Sequence, residues 1–437
     1  MSRLGIEVPP QGWNSWDCFG TTVTEDEVVA NAKVMADRLL PVGYDTVVVD
    51  IDWYDPTARS HGYQVDAPFV VDEHGYPSPA PDRFPSAVDG AGFGPLAAQV
   101  HGLGLRFGLH LMRGIPRRAV TLDLPVLGTS WTASQIADTS STCEWHPGYY
   151  GLDHSHPGAQ AYLDGFASKL AAWGVDYLKI DDMLAPYHAD AIEAWRLALD
   201  RAGRSIVLSL SPGTNLSTAH VQHLRRNADL WRISNDLWDR WSDVEEQFGR
   251  LSRWGPLQSS SGWADADMLP LGRIGVRAER GEPRDSRLTP DEQRTLLTLW
   301  AMGRSPFMIG GHLPETDDAT IQRLANPALA RVLHGSVDGA ELWRERDVDR
   351  GDGEVVVWSA READGPARFL AVFWTGPTPH HVQVALADVL GDVAVAGTGT
   401  WTAHDLWDPG VVGVGPDRTL ALDLPAHGVR WLELTRS

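Results

Sequence analysis

Eight short apolar runs, spaced by longer segments, constrain this chain more than any other feature. They are Gln11–Ser15, Thr46–Ile51, Arg106–Leu111, Tyr177–Ile180, Ile206–Leu210, Leu230–Ser234, a stretch around Ala264–Met268, and Pro306–Ile309. Runs of about 4–6 apolar and β-branched residues read as strands buried on both faces, and their alternation with helical periodicity is the signature of βα units on a parallel sheet. A helix is expected from Thr24, where Glu27 completes a capping-box pattern, to just before Pro41. Others are expected near Leu96–Leu103, Ala159–Trp173, Ala189–Ala202, Val244–Trp254, Thr289–Met302 and Asp317–Leu324. Eight such units predict an α/β fold, a closed (β/α)8 TIM barrel over residues 1–330. Beyond about Ala330 the runs shorten and alternate, as in Glu354–Ser359, Phe369–Phe373, His381–Ala385 and Val429–Leu434. That pattern predicts a small antiparallel β-sandwich over residues 331–437.

Side chains at the C-terminal ends of barrel strands share one pocket, so ionisable residues there carry the most information. The second strand ends in Asp50-Ile51-Asp52-Trp53; the third carries His110 with Arg113 beyond it; the fourth ends in Lys179-Ile180-Asp181-Asp182. The sixth supplies Arg232 and Asp236, the seventh Asp265 and Asp267. Two inserts rich in Gly, Pro and His, His61–Gly94 and Gly114–Gly158, exceed ordinary βα turns and are placed to build the pocket's rim. Any one strand-end Asp most often caps a helix or pairs with a cation, but five clusters on different strands point to a shared site. Two carboxylates flanking a sugar ring can cleave an acetal, one attacking the anomeric carbon and the other protonating the leaving oxygen. Asp181 is the candidate nucleophile, with the Lys179 cation two positions earlier favouring its charged form, and Asp236 is the candidate acid/base.

Composition removes several other functions. Against 37 Lys+Arg stand 58 Asp+Glu, a formal charge of −21 that repels nucleic acid and anionic membranes. No stretch offers the roughly 20 apolar residues of a membrane span. Cys18 and Cys143 are too few for a disulfide framework and lie in no metal-ligand spacing, which fits the reducing cytoplasm. His154-Ser155-His156 falls short of a metal's ligand count, so neither metal nor other cofactor is expected. Nineteen tryptophans hint at carbohydrate, since indoles stack on sugar faces, but indoles also fill cores. For Trp343, Trp358, Trp374, Trp401, Trp407 and Trp431 in the β-domain, packing is the expected role.

The motifs, taken in order, resemble glycoside hydrolase family 27, the α-galactosidase family. Gly12-Trp13-Asn14-Ser15-Trp16 resembles the family's GWNSW opening, and Gly43-Tyr44 leading to Val48–Trp53 resembles its second strand. Trp173–Asp181 resembles its nucleophile strand WGVDYLKYD, Trp231-Arg232 with Asp236 its acid/base segment, Asp265–Leu269 its DPDML, and Ser305-Pro306-Phe307 its last strand. The resemblance implies Asp181 as nucleophile, Asp236 as acid/base, and retention of anomeric configuration without a metal. It implies that Trp13, Asp50, Lys179 and Arg232 hold sugar hydroxyls; Asp52, Trp53, His110, Ser211 and Asp267, at or near the strand ends, complete the candidate substrate-binding set.

The departures fall on substrate-facing positions. Ile51 replaces the second of two consecutive acids, removing an acceptor on the 4- and 6-hydroxyl side of the sugar; Ser211 replaces a longer side chain near the 2-hydroxyl; His110 replaces a tyrosine. Met183 stands where secreted members carry a cysteine, leaving Cys143 without its expected partner. The expected activity is exo-hydrolysis of terminal α-galactosides in an oligosaccharide or glycoside. β-L-Arabinopyranoside, α-N-acetylgalactosaminide or an isomaltose-type α-glucoside are the alternatives under the same mechanism. A non-catalytic sugar-binding barrel is opposed by the intact Asp181 and Asp236, a metal-dependent lyase has no positive support, and self-association is left open.

Overall fold

A computed structural model describes residues 6–64, 66–258, 262–346, 352–391 and 399–436. They form two compact units: Met1–Asp236 with Ser259–Ser286 and Phe307–Asp318, and Leu237–Gln258 with Arg287–Pro306 and Ala319–Ser437.

The first unit holds eight parallel strands: β1 (Gln11–Asn14), β2 (Thr46–Val49), β3 (Arg106–Met112), β4 (Tyr177–Asp181), β5 (Val207–Leu210), β6 (Leu230–Arg232), β7 (Trp263–Asp265) and β8 (Phe307–Ile309). Each lies on its sequence-expected run to within a few residues. Their order in the sheet is β7-β6-β5-β4-β3-β2-β1-β8. Leu269 N donates to Met308 O, and Gly310 N to Leu269 O, so the two edges meet and the sheet closes as a barrel. Helices α1 (Glu25–Arg38), α2 (Gly94–Gly102), α3 (Pro157–Ala172), α4 (Ala189–Arg201) and α5 (Val221–Asn227) alternate with these strands along the chain. The capping box at Thr24 forms, Glu27 accepting from the Thr24 backbone N–H at 3.0 Å. Among the described residues, no helix is long and apolar enough to cross a membrane.

The second unit contains α6 (Trp241–Trp254), α7 (Pro290–Gly303) and two antiparallel sheets. The larger sheet runs β9-β10-β11-β16-β13-β14, built from β9 (Ser336–Arg346), β10 (Glu354–Glu362), β11 (Arg368–Trp374), β13 (Trp401–Asp405), β14 (Gly410–Val412) and β16 (Val429–Arg436). The smaller pairs β12 (His380–Ala385) with β15 (Thr419–Leu424). A core including Val357, Leu370, Val372, Trp374, Leu422 and Leu432 joins the inner faces. Trp358, Trp374 and Trp431 are fully buried, while Trp343 and Trp401 pack against the core edge, as expected of packing residues.

Candidate active site

The barrel's strand ends carry their charges inward. Side chains two apart on a strand share a face, so Lys179 and Asp181 of β4 project to the same side. Asp181 Oδ1 accepts from Asp182 N at 2.8 Å and from Ser211 Oγ at 3.2 Å. Its Oδ2 has no hydrogen bond among the described residues and lies 4.0 Å from His110 Nε2. One carboxylate oxygen is thus held and the other left bare. Asp182 adopts the left-handed region, φ 58°, and its own carboxylate is directed to Arg113 Nη2 at 2.7 Å. Burial pushes Asp182 up to about 6 in spite of Arg113.

Asp50 organises the opposite wall. Its Oδ1 accepts from Ile51 N and from the His110 ring at Nδ1, both at 2.8 Å; its Oδ2 accepts from Asn14 Nδ2 at 2.8 Å, with Lys179 Nζ at 3.5 Å. Burial would raise this carboxyl, but His110 and Lys179 outweigh it and hold it far below the usual carboxylate range. An anionic Asp50 only accepts, so His110 Nδ1 carries the proton, and the buried Nε2 has no partner among the described residues. Four donors occupy the lone-pair sites of Asp50, which makes it a fixed charge that orients His110.

Arg232, buried at the end of β6, joins two further carboxylates. Its Nη1 lies 2.7 Å from Asp267 Oδ1 and its Nη2 3.3 Å from Asp236 Oδ1. The Asp236 side chain is 40% exposed, which leaves it open to proton exchange with water. Burial chiefly, with repulsion from Asp236 and Asp265, pushes the Asp267 carboxyl up against the pull of Arg232. Lys179 does not pair with Asp181: its ammonium is committed to Asp50.

Asp50, His110, Lys179, Asp181, Ser211, Arg232 and Asp236 line one cavity of about 380 Å³. Trp13, Asp52, Trp53 and Asp267, expected at the substrate, do not line it. Asn14 faces Asp50, so its strand neighbour Trp13 points to the other face, where the indole N–H donates to Gly311 O at 2.8 Å. The chain leaves β2 at Asp52 with φ 63°, which turns Asp52 to His146 Nε2 at 2.8 Å and Trp53 Nε1 to His110 O at 2.9 Å. Asp267 sits behind Arg232 as its counter-ion. Sequence reading missed Trp16, Tyr63, Trp145, Asn235, Glu279 and Arg280, which also line the cavity. Trp16 stood inside the GWNSW motif; Tyr63 and Trp145 lie on the two long inserts; Glu279 and Arg280 come from a segment without a pattern signal.

The remaining candidates serve locally. His156 Nδ1 accepts from Gly158 N at the start of α3, and no group of three or more potential ligands clusters among the described residues. Cys18 and Cys143 are unpaired and buried. Burial pushes the Cys143 thiol up to about 12, too high for a nucleophile.

Fold and cavity together define a barrel enzyme with a small, carboxylate-lined pocket at its strand ends. A family model described as α-galactosidase A matches residues 148–331. The crystal structure of a family 27 β-L-arabinopyranosidase from Geobacillus stearothermophilus is 43% identical, superposes with a TM-score of 0.92, and is matched over 98% of this chain and 96% of that one. A Bacillus halodurans structure, assigned provisionally as an α-N-acetylgalactosaminidase, is 38% identical with a TM-score of 0.86, over 99% and 100% of the two chains. An α-galactosidase from Schizosaccharomyces pombe is 25% identical over 98% of this chain and 88% of its own. The chain belongs to glycoside hydrolase family 27 and is a retaining glycosidase acting on glycoside substrates.

Proposed function

We propose that Asp181 and Asp236 perform a double displacement on terminal, galacto-configured pyranosides, with β-L-arabinopyranose as the preferred glycone and α-galactose as the second. The observation that carries the mechanism is the asymmetric Asp181 carboxylate: Oδ1 tied to Asp182 N and Ser211 Oγ, Oδ2 bare in the same cavity as Asp236. Oδ2 attacks the anomeric carbon as the bond to the aglycone oxygen breaks, and Asp236 gives that oxygen its proton. Asp236 then takes a proton from water, whose oxygen displaces Asp181 and restores the starting configuration. Lys179 and Arg232 supply positive charge at the wall, and His110 Nε2 and Ser211 meet the ring hydroxyls.

The glycone preference rests on Ile51 and on likeness. A galactose 6-hydroxymethyl group needs a polar partner, and where the family has an acid this chain has Ile51, fully buried next to Asp50 and not itself part of the cavity lining, so no carboxylate is offered there. Arabinopyranose lacks that substituent, so it leaves no hydroxyl unpaired. Identity of 43% to the arabinopyranosidase against 25% to an α-galactosidase points the same way. The two unpaired cysteines support a reducing, cytoplasmic setting.

Initial rates on para-nitrophenyl β-L-arabinopyranoside, α-galactoside, α-N-acetylgalactosaminide and α-glucoside test the reading. The arabinopyranoside is expected to turn over fastest. A faster rate on the acetamido sugar would instead make the space at Ser211 the determinant, and silence on all four would remove the mechanism.

A further inference from the structure

The nucleophile is held by a residue outside its own cavity. Arg113, the first residue after β3, is buried and does not line the catalytic cavity. Its backbone N–H donates to Asp181 O at 3.1 Å. Its guanidinium donates from Nε to Asp182 O at 3.0 Å, from Nη2 to Asp182 Oδ2 at 2.7 Å, and from Nη1 to Ser141 Oγ at 3.1 Å. A rigid planar fork engaged by three acceptors on different sides is fixed in one orientation.

A peptide unit is planar, so a group held at one edge fixes the group at the other. The Asp181 carbonyl and the Asp182 N–H belong to one such plane. Arg113 N–H takes the carbonyl, and the Asp182 N–H at the opposite edge donates to Asp181 Oδ1 at 2.8 Å. The next plane carries the Asp182 carbonyl, held by Arg113 Nε, and the Met183 N–H, which donates to Ser211 O at 2.9 Å. Between the two planes Asp182 sits at φ 58°, a region that a residue other than glycine keeps only where its surroundings impose it. Ser211 also supplies the second donor to Asp181 Oδ1. Both contacts that hold Oδ1 thus come from this segment and from the strand end to which it is tied, and the Arg113 guanidinium grips the segment at the Asp182 carbonyl and carboxylate.

We infer that Arg113 is a positioning residue for the attack step: through Asp182 it keeps the Asp181 carboxylate turned so that Oδ1 stays bound and Oδ2 stays bare toward the anomeric carbon. The inference rests on the reading of Asp181 as nucleophile. It places the effect on attack rather than on sugar binding, because Arg113 is not among the residues that line the glycone's cavity. A buried ion pair gains little net stability, so the fold does not depend chiefly on this one. Burial already pushes the Asp182 carboxyl up to about 6 with Arg113 present, and without that cation the group takes up a proton instead of standing as an uncompensated charge. Arg113 also lines another, polar cavity of about 710 Å³, with Ser141, His154 and His188, through which a small cation can reach Asp182.

The test is single-turnover release of dinitrophenolate from the dinitrophenyl glycoside of the best glycone, with enzyme in saturating excess. The maximal rate constant then reports attack, and a misfolded fraction shifts only the enzyme concentration at half-maximum. In Arg113→Ala the constant is expected to fall about 100-fold, the scale of a nucleophile misplaced by about 1 Å, and free guanidinium well below denaturing concentrations should restore part of it, saturably. Arg113→Lys keeps the charge but lacks the fork, so it should lose rate as well and serves in place of the alanine variant if that one fails to fold. A near wild-type constant in either variant, or a loss in Arg113→Ala that guanidinium leaves unchanged, would overturn the positioning role while leaving the nucleophile intact. Release of phenolate by Asp181→Asn at the wild-type rate would instead strike the nucleophile reading, and the role of Arg113 with it.

Discussion

Two buried regions of this protein are built on opposite terms. The strand ends of the barrel bury Asp50, Lys179, Arg232 and Asp267, whereas the core of the C-terminal sheets buries Val357, Leu370, Val372, Trp374 and Leu432. Apolar burial is favourable at about 25 cal/mol per Å² and needs no partner, but a buried charge is costly unless paired and hydrogen-bonded. In the barrel each such charge has found a partner: Asp50 with His110 and Lys179, Arg232 with Asp267 and Asp236, Asp182 with Arg113. The floor therefore does little for stability and much for geometry. The difference teaches where damage should register: catalysis for one region, folding for the other.

The sharpest way to break that contrast is Asp181→Asn, which keeps shape and removes the charge. It should lower kcat by about 10⁴-fold or more while leaving the melting temperature near wild type. A large loss of stability with modest loss of rate would reverse the assignment. Asp236→Ala should cost about 10²–10⁴-fold on a disaccharide and far less on a substrate with a good leaving group, which needs little protonation. Equal losses on both would remove its acid role.

From the other region, Leu370→Ala should destabilise the protein by about 2–5 kcal/mol in denaturant titrations while preserving the relative rates across glycosides. A changed glycone preference would show that the sheet core reaches the site. Ile51→Asp sharpens the picture at the boundary between the two kinds of burial. It should shift the α-galactoside to arabinopyranoside rate ratio toward galactoside by about tenfold, the scale on which a pocket separates substrates differing by one substituent.

The smallest effect is electrostatic. Burial raises the folded-state Asp182 carboxyl to about 6, so between its ordinary value of 3.8 and about 6 the folded protein holds a proton that the unfolded chain has released. Stability from this group is complete below that window and is lost as pH rises through it. Asp182→Asn should flatten the fall in melting temperature between about pH 4 and pH 6. An unchanged slope would assign it to other buried carboxyls, such as Asp17 or Asp265, which burial also raises.

Much of the barrel was legible because its signal is local. Strands buried on both faces must be apolar runs, so β4, expected at Tyr177–Ile180, lies at Tyr177–Asp181, and the Thr24–Glu27 pattern marked the start of α1. Within the site, Asp50, His110, Lys179, Asp181, Ser211, Arg232 and Asp236 were nameable from strand-end position and motif, and they share one cavity. Trp13, Asp52 and Trp53 fall outside that cavity's lining, because strand parity and the left-handed turn at Asp52 decide which way they face. Glu279 and Arg280 carried no pattern at all, since the hairpin formed by Arg273–Ile274 and Arg284–Asp285 has strands too short for periodicity to show.

By itself, then, the amino-acid order determined the number and sequence of βα units, the change to antiparallel pattern in the C-terminal part, and the residue types that can do acetal chemistry. Periodicity and strand-end chemistry depend only on near neighbours in the chain. Tertiary structure alone decided which oxygen of Asp181 is bare, that the Lys179 ammonium belongs to Asp50, and that Trp145 stands at the cavity with Glu279 and Arg280. Those outcomes depend on distances between residues tens to more than a hundred positions apart, which only assembly of the strands and their loops brings together.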